Sequence, residues 1–215
     1  MGKLFNYDSP IMQTLNKIVD CFFLSVLWIV FSLPLVTFGA STTALYYTIN
    51  KVIRHDRSSL WKEFWGAFKS NFKQSTIVWL VLAVVYYIMI TDCVIMYNFY
   101  KSGASVTLFI VFGIMVLVTM MWTSYLFPCI ARFENTTKNL MKTCALLMIR
   151  HILKSILLML LLAVAIAGLI VMPVLIVIIP SVYMLVASFI LESIFEKYMS
   201  AEDLEAEKER NQIYY

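Results

Sequence analysis

Apolar residues run through this chain in long blocks, and polar positions collect between them. Residues 18–33, IVDCFFLSVLWIVFSL, form the first block, entered through Lys17 and closed by Pro34, whose ring cannot continue a helix. A second helix is expected from a Ser41/Thr42 cap to about Ile53, ending in Lys51 and Arg54; it is short against a hydrocarbon core of roughly 30 Å. Residues 77–97 and 104–127 predict two further spans, the latter stopped by Pro128. Residues 152–195 are too long for one crossing, since such a helix would reach about 66 Å. The stretch MPVLIVIIP, with Pro173 and Pro180, divides them in two. The pattern predicts an all-α membrane protein, a bundle of six transmembrane helices, or five if the second segment does not cross. Residues 1–199 make one integral-membrane domain and residues 200–215 a charged cytoplasmic tail, with Ser200 capping Glu202 and Asp203.

Composition agrees about the solvent. The 215 residues are 61% hydrophobic and 14% charged, against about a quarter charged in an average soluble domain, and mean hydropathy is +0.83. With six spans, sixteen of the seventeen Lys and Arg residues lie on one side and Lys101 alone on the other. The positive-inside bias then puts both termini in the cytoplasm and the protein in the cell membrane. With five, the N-terminus flips out and Lys3 and Lys17 join Lys101. The net charge of +4 sits beside membrane segments and comes with no base-reading motif, so lipid is the expected partner and nucleic acid is not. Asp8 and Asp20 in a long leader speak for a retained anchor over a cleaved signal peptide. The four cysteines are far apart in sequence and read as small buried hydrophobes.

Two cytoplasmic segments are amphipathic. In SSLWKEFWGAFKSNFKQS, residues 58–75, Trp61, Phe64, Trp65, Phe68 and Phe72 recur at helical spacing, with Lys62, Glu63, Lys69, Asn71 and Lys73 largely opposite. Ser58 or Ser59 can cap its start. Rings beside lysines suit the headgroup layer. Trp61, Phe64, Trp65, Phe68, Lys69 and Phe72 are therefore candidates for a membrane-surface or partner-docking face, against the alternative that the segment merely extends a spanning helix. Residues 132–151, RFENTTKNLMKTCALLMIRH, turn from polar to apolar toward the next span.

Ionisable groups inside spans are the best pointers to function. Asp20, Asp92 and Glu192 are the candidates, each expected near an end of its span, where hydration or a nearby Lys or Arg accounts for it more cheaply than a relay. Enzyme chemistry has little to stand on: there is no phosphate-binding glycine loop, His55 and His151 are isolated, and the Gly-Ala-Ser stretches at 39 and 103 stop short of a nucleophile elbow. No catalytic residue, metal site or cofactor is expected.

The stretch LPLVTFGASTTALYY breaks a very apolar chain with small and hydroxylated residues. Pro34 ends one helix, Gly39 permits the turn, and Ser41, Thr42 and Thr43 cap and pack the next. Broken, hydroxyl-rich helix starts are also where transporters hold polar ligands. Pro34, Thr37, Gly39, Thr42, Thr43, Tyr47 and Asn50 are accordingly packing or ligand-facing candidates.

Three blocks, SLPLVTFGASTTALYYTINKVIR, SSLWKEFWGAFKSNFKQSTIVWL and LFPCIARFENTTKNLMKTCALLMIRH, together resemble those of the YesL-like membrane proteins of Gram-positive bacteria, a family of unassigned function. The resemblance covers about residues 5–195. It rests on Pro34, Thr37, Gly39, Ala44, Leu45 and Tyr46 in one motif and on Phe64, Phe68, Lys69, Asn71, Phe72 and Lys73 in the other. Members are often encoded beside carbohydrate ABC importers and glycan-degrading enzymes. The resemblance thus implies a non-enzymatic accessory component of carbohydrate or oligosaccharide uptake, with an ABC-type sugar permease as partner, and it carries over no binding residue; a second copy of the chain is a further candidate partner. The E-A-A loop of the permeases themselves is absent. The alternative is a small stand-alone transporter or channel for a polar solute, its path lined by Thr42, Thr43, Tyr47, Asn50 and Asp92. A membrane enzyme would need two juxtaposed catalytic groups that the sequence does not offer.

Overall fold

The computed structural model describes residues 10–54, 59–101 and 106–199; His55, Ser58, the stretch 103–105 and the tail 200–215 lie outside them. The described elements are all helical: α1 (Pro10–Ser32), α2 (Phe38–Thr48) continuing into a π turn (Ile49–Ile53), α3 (Leu60–Lys101), α4 (Thr107–Arg132), α5 (Thr137–Arg150), α6 (Ile152–Val171) and α7 (Ile179–Phe195). Among these residues five helices, within α1, α3, α4, α6 and α7, are long and apolar enough to cross a membrane. The chain is an all-α membrane bundle, with the lower of the two expected span counts. The second segment falls short because α2 and its π turn hold eleven and five residues, about 24 Å of helix. Protein surrounds it: Gly39, Ala40, Thr43, Ala44, Leu45 and Tyr46 are all buried.

Local chemistry explains where the helices stop. Pro34 ends α1, and the Thr37 hydroxyl donates to the carbonyls of Phe31 and Pro34 that the break leaves open. α2 then starts at Phe38, three residues before the expected cap. The hydroxyls of Ser41, Thr42 and Thr43 are not caps; they donate back to the carbonyls of Thr37, Phe38 and Gly39 at 3.0, 2.8 and 2.9 Å. Gly39 lies inside the helix and not in the turn. A Cβ there would stand 2.5 Å from the Ser75 carbonyl oxygen, 2.7 Å from Trp79 Cβ and 2.9 Å from Phe127 Cε1. Only a glycine lets α2, α3 and α4 cross so closely.

Two further boundaries differ from expectation. The amphipathic stretch and the third span are one helix, α3, of 42 residues, about 63 Å long. α4 continues through Pro128 to Arg132. The carbonyl that loses its donor is that of Ser124; the next one along, of Tyr125, accepts from the Cys144 thiol of α5 at 3.7 Å. The break between the last two spans falls as expected, as a 3₁₀ turn (Pro173–Val177).

The core is concentrated where α2 nests among the others. Leu24, Tyr46, Ile49, Phe64, Tyr125 and Phe195 are fully shielded there. Hydroxyl pairs tie the helices across it: Ser25 to Ser181 at 2.8 Å, Thr43 to Ser75 at 2.9 Å and Tyr125 to Ser155 at 2.8 Å. In the other half of the α3–α4 hairpin no described residue is buried after Leu82 in α3 or before Thr119 in α4. Among the described residues those two helices meet there through contacts such as Tyr97 against Phe109.

Candidate functional site

The best candidate site is a carboxylate sealed inside the bundle. Glu192, on α7, is 2% exposed. The Tyr46 hydroxyl donates to its Oε1 at 2.7 Å, and the Asn50 amide donates to the same oxygen at 2.8 Å. Arg132, the last residue of α4, brings Nε to 3.3 Å from Oε2. Arg54 closes the circle, donating to Asn50 Oδ1 at 3.0 Å and to the Ser188 carbonyl at 3.4 Å, with its guanidinium 4.6 Å from the Phe189 ring centre. Stripping water from an ion costs several kcal/mol even after relaxation, so such a group persists only when paired and hydrogen-bonded. Glu192 is both.

The helix geometry assembles this cluster. Tyr46, Asn50 and Arg54 recur every four residues, which places them on one face. The π turn widens the end of α2, with the Arg54 N–H reaching back to the Ile49 carbonyl at 3.1 Å. π turns are frequent at functional sites. Burial first, then the Glu192 charge and hydrogen bond, hold the Tyr46 phenol well above its usual range, against the pull of Arg132 and Arg54. Tyr46 is therefore a fixed proton donor to the carboxylate. Electrostatically the arrangement is a clamp across α2, α4 and α7.

The predicted residues distribute as follows. Asn50 and Glu192 meet in the clamp. Thr43 pairs with Ser75, and Thr42 accepts from the Trp28 indole at 3.1 Å. Tyr47 is half-buried at a second link between α2 and α3, where Lys51 donates to its hydroxyl at 3.3 Å and to Glu63 at 2.8 Å. Burial alone would lower the Lys51 pKa, but those two partners raise it above the usual lysine value. Pro34 is exposed and Asp20 half-exposed. Asp92 sits on the second half of α3, far along the helix from Ser75 and the α2 hydroxyls.

The aromatic face divides. Phe64 and Phe68 are core residues, stacked on each other and packed on Phe31 of α1 at 5.6 and 5.0 Å. They are not available to a partner, because α1 covers them. Trp61 and Phe72 remain exposed. Trp65 is half-buried, stacks on Trp61 and lies under the exposed Lys69 amine at 4.8 Å.

Arg132 and Arg54 were not singled out as site residues from sequence. The available signal was the four-residue polar stripe in α2, together with opposite charges closing two different spans. Cys129 on α4 and Cys144 on α5 are both fully buried, and the Cys144 thiol is committed to the Tyr125 carbonyl.

Comparison with curated proteins and with solved structures finds no match. Residues 21–93, which run from α1 through the Gly39 crossing and the aromatic half of α3, match the profile of a family described as "Protein of unknown function, DUF624", the family to which the YesL-like proteins belong.

Proposed function

We propose that this chain is a non-enzymatic accessory protein of carbohydrate or oligosaccharide uptake that associates, in the plane of the cell membrane, with an ABC-type sugar permease. The observation that carries the association is Asp92. It lies on the half of the α3–α4 hairpin where no described residue is buried, and its carboxylate has no hydrogen-bond or ion-pair partner among the described residues. Exposed isoleucines and valines alone would call for nothing but lipid. A carboxylate within a span costs about 2.5–3.5 kcal/mol at the bilayer centre and less toward its edge, and a neighbouring subunit that offers a donor removes that cost. The sugar-uptake context comes from the YesL-like resemblance. The polar groups of α2 support an associating over a conducting role, since Thr42, Thr43 and Asn50 are bonded to other helices and do not continue toward Asp92.

In this reading the basic segments 51–73 and 132–154 face the cytoplasm. Five crossings then put the start of α1 on the opposite side from the end of α7.

The test is photo-crosslinking in native membranes from Ile88 and Ile95, which lie one turn either side of Asp92 and are exposed. A sugar-permease subunit in the crosslinked product, lost in Asp92→Leu, is the expected result. Crosslinks confined to lipid or to a second copy of the chain would overturn the proposal.

A further inference from the structure

We propose that the groove between α4 and α5 binds an anionic phospholipid. The groove has a volume of about 530 Å³ and is lined by Trp122, Thr137, Lys138, Met141, Lys142 and Ala145. Its floor is apolar, made of the Trp122 ring, Met141 and Ala145. The Trp122 indole N–H is already committed to the Met141 carbonyl at 3.2 Å, so the ring presents hydrocarbon and no free donor. Lys138 and Lys142 stand one turn apart, both exposed. They sit in the first turns of α5, where N-cap Thr136 makes no side-chain cap bond and the helix end carries partial positive charge.

Charge complementarity selects the occupant. On α5, Lys138, Lys142, Leu146 and Ile149 share one outward stripe, and Leu153 follows just past the break at His151; the three apolar residues are 68%, 66% and 80% exposed. The stripe is cationic at its start and purely apolar beyond it. A phosphodiester headgroup matches the first half, and acyl chains match the groove floor and the second half. An acidic soluble peptide would leave Leu146, Ile149 and Leu153 uncovered, and a zwitterionic lipid would leave the two ammonium groups without a net countercharge. Basic pockets between membrane helices bind lipid headgroups by this chemistry.

The experiment uses the purified full chain in nanodiscs with brominated lipids, reading quenching of Trp122 as the difference between the native protein and Trp122→Phe. Brominated phosphatidylglycerol should quench at roughly thirtyfold lower mole fraction than brominated phosphatidylcholine, as two lysine contacts would give. Lys138→Gln with Lys142→Gln should abolish the preference, whereas Lys138→Arg with Lys142→Arg should keep it and Lys62→Gln with Lys69→Gln should leave it unchanged. Millimolar glycerol phosphate should not displace the lipid. Equal quenching by the two lipids, a preference that survives the double Gln variant, or displacement by glycerol phosphate alone would each overturn the proposal.

Discussion

Tyr46 and Glu192 stand 146 residues apart in sequence and share a 2.7 Å hydrogen bond in the shielded interior of the bundle. Through this bond and the Arg132 ion pair, the non-spanning helix α2 is joined to two spanning helices. Removing one member should therefore do more than delete a contact. Glu192→Gln should lower the thermal stability of the detergent-solubilised protein by about 3–5 kcal/mol, because it leaves the Arg132 guanidinium without its countercharge. Pairing it with Arg132→Met should recover part of that loss. Equal unfolding temperatures for the single and double variants would refute the clamp. Tyr46→Phe should cost about 1–3 kcal/mol.

Gly39 and Gly66 make a matched pair of controls. A methyl at Gly39 meets backbone and ring atoms at under 3 Å, whereas at Gly66 nothing lies within 4 Å. Gly39→Ala should cost about 1–3 kcal/mol or more through overpacking, seen as loss of monodisperse protein on gel filtration. Gly66→Ala should be neutral or stabilise by up to about 1 kcal/mol.

The aromatic half of α3 should show two classes of residue. Phe64→Ala should destabilise by about 3–5 kcal/mol, as large core truncations do. Trp61→Ala, on the exposed side, should stay within about 1 kcal/mol. Comparable losses at both positions would contradict the packing of Phe64 on Phe31.

Membrane sidedness can be read with single cysteines. Lys101→Cys and Asn6→Cys should both react with an impermeant maleimide added outside intact cells, and Lys69→Cys only after permeabilisation. Labelling at 69 but not 101 from outside would invert the orientation, and protection of position 6 would restore a sixth crossing.

His151, in the turn between α5 and α6, titrates below the usual histidine value, from burial first and then from Lys154, Lys197 and Arg150. Its ring nitrogen is 3.1 Å from the Tyr198 hydroxyl. Because the folded pKa is the lower one, the unfolded chain binds the proton first. The associated stability is intact above about pH 6.5 and is lost as pH falls through that value toward the folded pKa. In a His55→Asn background, the remaining imidazole resonance should titrate below about 6.5; a higher midpoint would contradict the cationic surroundings.

The membrane class, the spans and the break at Pro173 were legible because burial in lipid needs long apolar runs, and such runs survive in one dimension. The fate of Gly39, Pro128 and the aromatic segment was less visible. Turn and crossing glycines look alike in sequence, and a proline that ends a helix looks like Pro128, which α4 runs through. Phe64 and Phe72 share one periodic stripe, and only the position of α1 decides that one is core and the other surface. Glu192 was found as a candidate, but its partners lie on α2 and α4, and no spacing rule links residue 46 or 132 to residue 192. The resemblance carried by Pro34, Gly39, Phe64 and Phe68 falls within the matched region 21–93, and that region includes the α2 and α3 sides of the Gly39 crossing.

The uninterrupted α3 has a mechanical consequence. It contains no proline, and its single glycine, Gly66, lies near its start, so it has no hinge between its aromatic foot and its lipid-facing head. A long helix of this kind bends only gently. A displacement imposed on it where Ser75 and Trp79 cross Gly39 would therefore reach Asp92 along the helix instead of being absorbed on the way.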